Sequence, residues 1–131
     1  MIIASPDNNK RAELTYLSEI RFGPSYYKLE LNGKELPNRI FGDAYLWSAD
    51  SRYFAVQEWM TINYQEGPIT RVVLFDVVNG LCAYFKVVVK GFVQDFNFEN
   101  GKLIYKKHYY ADGKIVEVEV DVSSIVNWNK Y

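Results

Sequence analysis

Apolar and polar residues alternate along most of this chain with a period of two, which predicts β-strands rather than helices. The alternation is clearest over Ser25–Leu31, where Tyr27, Leu29 and Leu31 share one face and Lys28 and Glu30 the other. Asn32-Gly33 follows as a turn signal. Residues 12–22 alternate less regularly until Gly23-Pro24 stops them, and residues 34–43, with Pro37 and Gly42, read as a connection. The chain is organised around residues 46–80. There a polar turn, Ser48-Ala49-Asp50-Ser51, feeds a long apolar strand, Gly67-Pro68 reverses it, and a second strand runs out to Asn79-Gly80. Residues 81–90 are apolar apart from Lys86 and predict a strand covered on both faces. After Gly91, the alternation puts Phe92, Gln94, Phe96 and Phe98 on one side of a further strand. Helical signals are confined to residues 10–20 and 123–131, the latter with Ser123 or Ser124 as N-cap.

The last hairpin is the most specific expectation. Asp112-Gly113 is a preferred two-residue type I′ turn, which would set Ala111 opposite Lys114. That register puts Tyr109 opposite Val116, Tyr105 opposite Val120 and Leu103 opposite Val122, an apolar face. On the other face His108 would oppose Glu117, and Lys106 would oppose Glu119, at about 0.2–1 kcal/mol per pair. Lys107 opposite Val118 is the misfit, its stem reaching for the rim.

Composition adds scale. The 131 residues suit one domain and are 49% hydrophobic and 17% aromatic, with 11 Tyr and 3 Trp, enough for a substantial core and for aromatic contact surfaces. A net charge of −1, with charges scattered, argues against a polyanion-binding stripe. The single Cys82 lies in an apolar run and reads as a buried thiol in a reducing compartment. The first residues lack the charged and apolar segments of a signal peptide, and no apolar run is long enough to span a bilayer. A soluble, cytoplasmic protein without membrane contact is expected.

Chemistry is sparse. The lone His108 faces a carboxylate and makes no metal-ligand set with Cys82. There is no phosphate-binding Gly-rich loop, nucleophile elbow or His-Glu-x-x-His. Glu117 and Glu119 share a strand face as solubility charges rather than an acid/base pair. The expectation is a protein that is not an enzyme and uses no cofactor and no metal.

Turn-like quartets recur: Ser5-Pro6-Asp7-Asn8, Ser48-Ala49-Asp50-Ser51 and Phe98-Glu99-Asn100-Gly101, at spacings of 43 and 50 residues. Each precedes a strand, a loop and a second strand, as repeat architectures do. Trp47-Ser48-Ala49-Asp50-Ser51-Arg52-Tyr53-Phe54-Ala55 resembles the start of a blade in WD40- or TolB-type β-propellers, and Phe75-Asp76-Val77-Val78-Asn79-Gly80 resembles its later strand. The Gly-His and Trp-Asp marks of that family are missing, and three degenerate units fall short of the roughly four to eight blades of a closed ring. The expected fold is therefore all-β: a curved antiparallel meander or sandwich of blade-like hairpins with little or no helix. It forms one domain, residues 1–131, with hairpin units at about 5–42, 46–90 and 92–128.

Binding another protein is the leading expectation for such a fold. In general character the chain also resembles small bacterial immunity proteins of contact-dependent growth inhibition, which implies direct neutralisation of a cognate toxin, often a nuclease. Rigid aromatic anchors and carboxylates at hairpin tips suit that task. The candidates are Trp59, Tyr64 and Glu66 around Gly67-Pro68, with Tyr109, Tyr110 and Asp112 at the other tip. Three alternatives stay open: a single-stranded nucleic-acid binder using Lys106, Lys107, His108, Tyr109 and Tyr110, a small-ligand binder, and a structural subunit. Nucleic acid is the weaker partner because Glu117 and Glu119 neutralise that strip. A homodimer through an open edge at Ser25–Leu31 is a further option.

Overall fold

Turns between the strands form where Asn, Gly and short polar side chains permit them. Asn32 and Gly33 both adopt positive φ (51° and 86°), as do Asn100 and Gly101 (52° and 75°), the type I′ geometry that joins Leu31 to Lys34 and Glu99 to Lys102. The quartets at Ser5 and Ser48 are structural copies of each other. In each, the serine hydroxyl donates to the aspartate two residues on (2.6 Å in both) and accepts the backbone N–H five residues on. A positive-φ residue, Asn8 or Ser51, closes each turn, and the Asp7 N–H donates to the Ser51 hydroxyl, so the copies lie side by side. The third quartet is a plain Asn-Gly turn. The recurrence is thus structural for two of three units.

A computed structural model describes all residues, Met1–Tyr131. The strands are β1 (Ile2–Ala4), β2 (Arg11–Glu19), β3 (Ser25–Leu31), β4 (Lys34–Glu35), β5 (Ile40–Trp47), β6 (Tyr53–Trp59) and β7 (Ile69–Asp76). They continue as β8 (Leu81–Tyr84), β9 (Val88–Val89), β10 (Gly91–Glu99), β11 (Lys102–Tyr109), β12 (Ile115–Asp121) and β13 (Asn129–Lys130). Single 3-10 turns at Tyr64–Glu66 and Val122–Ser124 are the only helical elements. The fold is all-β, in two antiparallel sheets with no closed barrel. The larger sheet runs β1-β2-β3-β5-β6-β7-β8-β13, with β4 added on β3 and β9 on β7; the smaller runs β10-β11-β12.

The central pair, β6 and β7, is buried on both faces. Phe54, Val56, Val73 and Phe75 point into one core, where they meet Ala12, Leu14, Leu29 and Leu31 of β2 and β3, so the large sheet folds over on itself. Ala55, Val72 and Leu74 point the other way, into a second core with Val93, Leu103 and Tyr105 of the smaller sheet. Three layers result, and each fully buried Phe or Leu contributes about 1.5–3 kcal/mol. Cys82 is buried in the first core.

Several expectations are corrected. Residues 10–20 form strand β2, not a helix, with Ala12 and Leu14 alternating into the core. The terminal segment has one 3-10 turn, capped by Asp121 rather than by Ser123 or Ser124, and then runs extended into β13. Ile40 to Asp43 belong to β5, not to a connection. Residues 81–90 are broken at Phe85–Val87 into β8 and β9, and Tyr84, Lys86, Val87 and Val89 are exposed because little of the sheet lies beyond them. Strand β3 is not an open edge, being flanked by β2 on one side and by β4 and β5 on the other.

Phe92, Gln94, Phe96 and Phe98 do not share a face. Asp95 takes a positive φ (58°) in a bulge between Gln94 and Asn97, which reverses the alternation. Phe96 and Phe98 therefore pack on the second core while Phe92 turns away to Trp59. The last hairpin is displaced by two residues: Tyr105 opposes Val118, Lys106 opposes Glu117 and His108 opposes Ile115. Its loop is Tyr110-Ala111-Asp112-Gly113, with the Tyr109 N–H donating to Lys114 O at 2.8 Å. Asp112 does not adopt positive φ; its carboxylate accepts the Lys114 N–H at 2.9 Å, and the Tyr110 N–H leaves the hairpin for Lys90 O. A shift of two preserves which face each residue takes, so the expected apolar face survives.

Candidate functional site

Three loops meet at one end of the layers. The first is the turn after β2, where the Ile20 N–H bonds to Pro24 O and Phe22, at φ 61°, is thrown outward. The second is the long loop from β6 to β7. Asn63 caps its 3-10 turn by accepting the Gln65 N–H, and Gly67 at φ 73° lets the chain turn back to Pro68. The third is the β11–β12 loop, which begins at Tyr110. Between them lies a hollow of about 340 Å³ walled by Phe22, Trp59, Tyr64, Pro68, Phe92 and Tyr110. Phe22 meets Tyr64 edge-on at 6.0 Å, Trp59 meets Phe92 at 5.6 Å, and Arg21 lies over both the Phe22 and Tyr64 rings at 4.9 and 5.3 Å.

A second, wider hollow of about 690 Å³ shares Trp59 and Thr61 with the first. At its floor Glu58, only 3% exposed, accepts from Arg39 Nε at 2.5 Å and from Arg71 Nε at 2.6 Å. Arg71 stacks over the Tyr84 ring at 4.0 Å. Burial pulls the Arg39 pKa down, but the hydrogen bond and charge of Glu58 outweigh it and raise it above its ordinary value. Two guanidiniums surround one carboxylate, so this hollow carries an excess positive charge.

The end-face is held from beneath by a polar network. Gln57 donates to Val93 O at 2.8 Å and accepts from Trp59 Nε1 at 2.9 Å, while the Thr70 hydroxyl donates to Gly91 O and accepts the Val93 N–H. These bonds tie β10 to β6 and β7, although β10 belongs to the other sheet. Gly42 makes room for them: a Cβ there would sit 1.8 Å from Gln57 Oε1.

Of the six candidates, the structure brings Trp59, Tyr64 and Tyr110 into one hollow. Trp59 is 5% exposed and serves as wall rather than anchor; Tyr64 and Tyr110 present free surface. Glu66 is exposed on the same 3-10 turn without lining the hollow. Tyr109 instead packs against the second core, one residue along a strand being enough to reverse the side chain. Asp112 is exposed, with its carboxylate engaged by its own loop. Phe22, Phe92, Arg39 and Arg71 were missed. Phe22 had a signal, a large apolar residue directly before Gly23-Pro24.

The basic-aromatic strip is not one surface. Lys106 and His108 share the outer face, Lys107 and Tyr109 turn inward, and Tyr110 joins the end-face. His108 pairs with Asp95 at 2.7 Å, not with Glu117, because the bulge carries Asp95 beside it. Glu119 reaches Lys102 at 3.6 Å. No three His, Cys, Asp or Glu side chains converge as a metal-ligand group. No helix is long and apolar enough to cross a membrane. No protein-family model matches the chain, and neither a curated protein nor a solved structure is significantly similar to it.

Proposed function

We propose that this chain is a non-enzymatic protein-binding module that docks its aromatic end-face on a protein partner. The observation that carries the reading is the exposure of Phe22 (87%), Tyr110 (73%), Ile62 (54%), Met60 (42%) and Tyr64 (41%) on neighbouring loops around the two hollows. Large apolar side chains gathered on loops above a stiff sheet mark an interaction surface. The resemblance to small immunity proteins makes a cognate bacterial toxin domain, met in the cytoplasm, the partner to test, neutralised by direct cover. In this reading the three stacked layers are an open, blade-like array whose loop end does the binding.

The test is co-expression of the full chain with the toxin domain of the neighbouring reading frame, followed by affinity measurement on the purified complex. Phe22→Ala with Tyr110→Ala should weaken binding at least tenfold, since aromatic anchors contribute about 1–2 kcal/mol each or more. Melting temperature should stay within about 3 °C, because both side chains are largely exposed. Full affinity after Phe22→Ala, Tyr64→Ala and Tyr110→Ala together would show that the partner binds elsewhere.

A further inference from the structure

The Arg39–Glu58–Arg71 cluster has more donors than its carboxylate uses. Each guanidinium offers five N–H groups in a planar fork. Glu58 takes only the Nε of each. Arg39 Nη1 reaches the Tyr84 hydroxyl at 3.5 Å, and Arg39 Nη2 is buried with no hydrogen-bond partner at all. Arg71 makes no further hydrogen bond, and its stacking on Tyr84 fixes the plane of the fork. An acceptor entering the hollow meets the Nη groups of Arg71, which have no partner, while the buried, unpaired Arg39 Nη2 leaves positive charge beneath them uncompensated. The hollow is open, polar on its floor and carries one positive charge in excess.

The geometry points to this hollow as a binding site for a single carboxylate, supplied by an Asp or Glu side chain of the protein partner. A carboxylate neutralises the excess charge and matches the guanidinium fork in pairs. Continuity with the aromatic hollow through Trp59 and Thr61 lets one segment place an acidic side chain on the arginines and an apolar neighbour among the rings. The assignment of the carboxylate to a protein rests on the docking function proposed above. It also differs from the expectation that carboxylates of this chain, Glu66 and Asp112, meet the partner, because here the surface accepts an acidic group instead of offering one.

Nuclear magnetic resonance of the full chain tests it, reading the Arg Nε–Hε signals and the aromatic signals separately. The probes are an acetylated, amidated Glu-Leu-Tyr peptide, its Gln-Leu-Tyr counterpart, and inorganic phosphate. The Glu peptide should shift the Arg39 and Arg71 signals saturably, and the Gln peptide should bind at least fivefold more weakly with those signals unmoved. Arg71→Lys keeps the charge but loses the fork, and should weaken the Glu peptide about fivefold in a protein whose spectrum is otherwise wild-type. If both peptides move only Trp59, Tyr64 and Tyr110, the carboxylate site is wrong and the aromatic docking face stands. If the Glu peptide moves the arginines but leaves the rings unmoved, the site stands and the docking face loses its support. Tighter binding of phosphate than of the Glu peptide, or no shift with any probe at 20-fold excess, overturns the assignment.

Discussion

Gly42→Ala perturbs the end-face without touching it. The added methyl would lie 1.8 Å from Gln57 Oε1, 2.8 Å from Gln57 Cδ and 2.9 Å from Trp59 Nε1. Gly42 does not have positive φ, so the substitution carries no backbone strain of its own. The clash must instead be relieved by moving the Gln57 carboxamide, which breaks its bond to Val93 O and the one it accepts from Trp59. Both bonds are buried, and each group left without a partner costs about 1–3 kcal/mol. Alanine returns roughly 0.4–1 kcal/mol by restricting the unfolded chain. A net loss of about 2–4 kcal/mol remains, a large share of the roughly 5–15 kcal/mol that holds a domain folded.

Urea unfolding followed by circular dichroism and tryptophan fluorescence measures that loss. The decisive comparison is with Gln57→Ala, in which both bonds and the closest clashes are already gone, leaving only the 2.9 Å approach to a Trp59 ring no longer held by Gln57. There Gly42→Ala should cost less than about 1 kcal/mol, a coupling of the size found between residues in direct contact. A wild-type background cost below 1 kcal/mol, or equal costs in the two backgrounds, would refute the claim that Gly42 exists to seat Gln57. Because Trp59 walls both hollows, the single variant should also weaken partner binding while Phe22, Tyr64 and Tyr110 remain in place.

Burial pushes the Asp76 carboxyl up, but hydrogen bonds from Arg52 and Asn79 outweigh it and hold the pKa below its ordinary value. A depressed carboxyl stabilises fully above its unfolded pKa and loses that contribution as pH falls through the folded value, so stability should drop below about pH 4. Asp76→Asn should be less stable at pH 7 and show a shallower acid limb; parallel limbs from pH 5 to 2 would sink this. The Ser48 hydroxyl is buried and bonds to both Asp50 and the Tyr53 N–H, so Ser48→Ala should cost about 1–2 kcal/mol in urea unfolding, and Ser5→Ala about the same. A neutral Ser5→Ala beside a costly Ser48→Ala would deny that the two turns are equivalent. The displaced hairpin register predicts close Hα–Hα contacts for His108 with Ile115 and for Lys106 with Glu117, detectable as nuclear Overhauser effects. A His108–Glu117 contact in their place would restore the two-residue turn.

The Asn-Gly turns at 32–33 and 100–101 were legible because that pair tolerates positive φ at both residues and local chemistry decides the geometry; at Asn79-Gly80 only the glycine takes positive φ. Asp112-Gly113 was not legible, because Asp112 stays out of positive φ and turns its carboxylate to the Lys114 N–H, closing a four-residue loop in place of the two-residue turn. The bulge at Asp95 left no mark on an apparently unbroken run of alternating aromatics. For the same reason Tyr64 and Tyr110 could be chosen from the loops, whereas Tyr109 could not be separated from Tyr110 without the position of the strand end. Glu58 faces Arg71 across the hairpin, and this pairing was within reach of a register argument through Gly67-Pro68. Arg39 lay outside it, since it approaches from the start of β5 with no local relation to either.

Burying β6 on both faces is what makes the end-face stiff, and it also explains the polar residues in that strand. A strand enclosed by two layers has no solvated side, so Gln57 and Glu58 at its end must find partners inside the protein or cost stability. Gln57 meets that need by crossing to β10, and Glu58 by gathering two arginines, one just ahead of β5 and one in β7. Each solution fixes loops that would otherwise move: the first locks Trp59 and Phe92 edge to edge, the second fixes the planes of the guanidiniums against Tyr84. Side chains ordered before a partner arrives lose less freedom on binding, by about 0.5–1.5 kcal/mol for each long one. The same requirement that completes the interior thus prepares the surface above it, which is why loosening Gly42 and Gln57, deep below the rings, should be felt at the docking face.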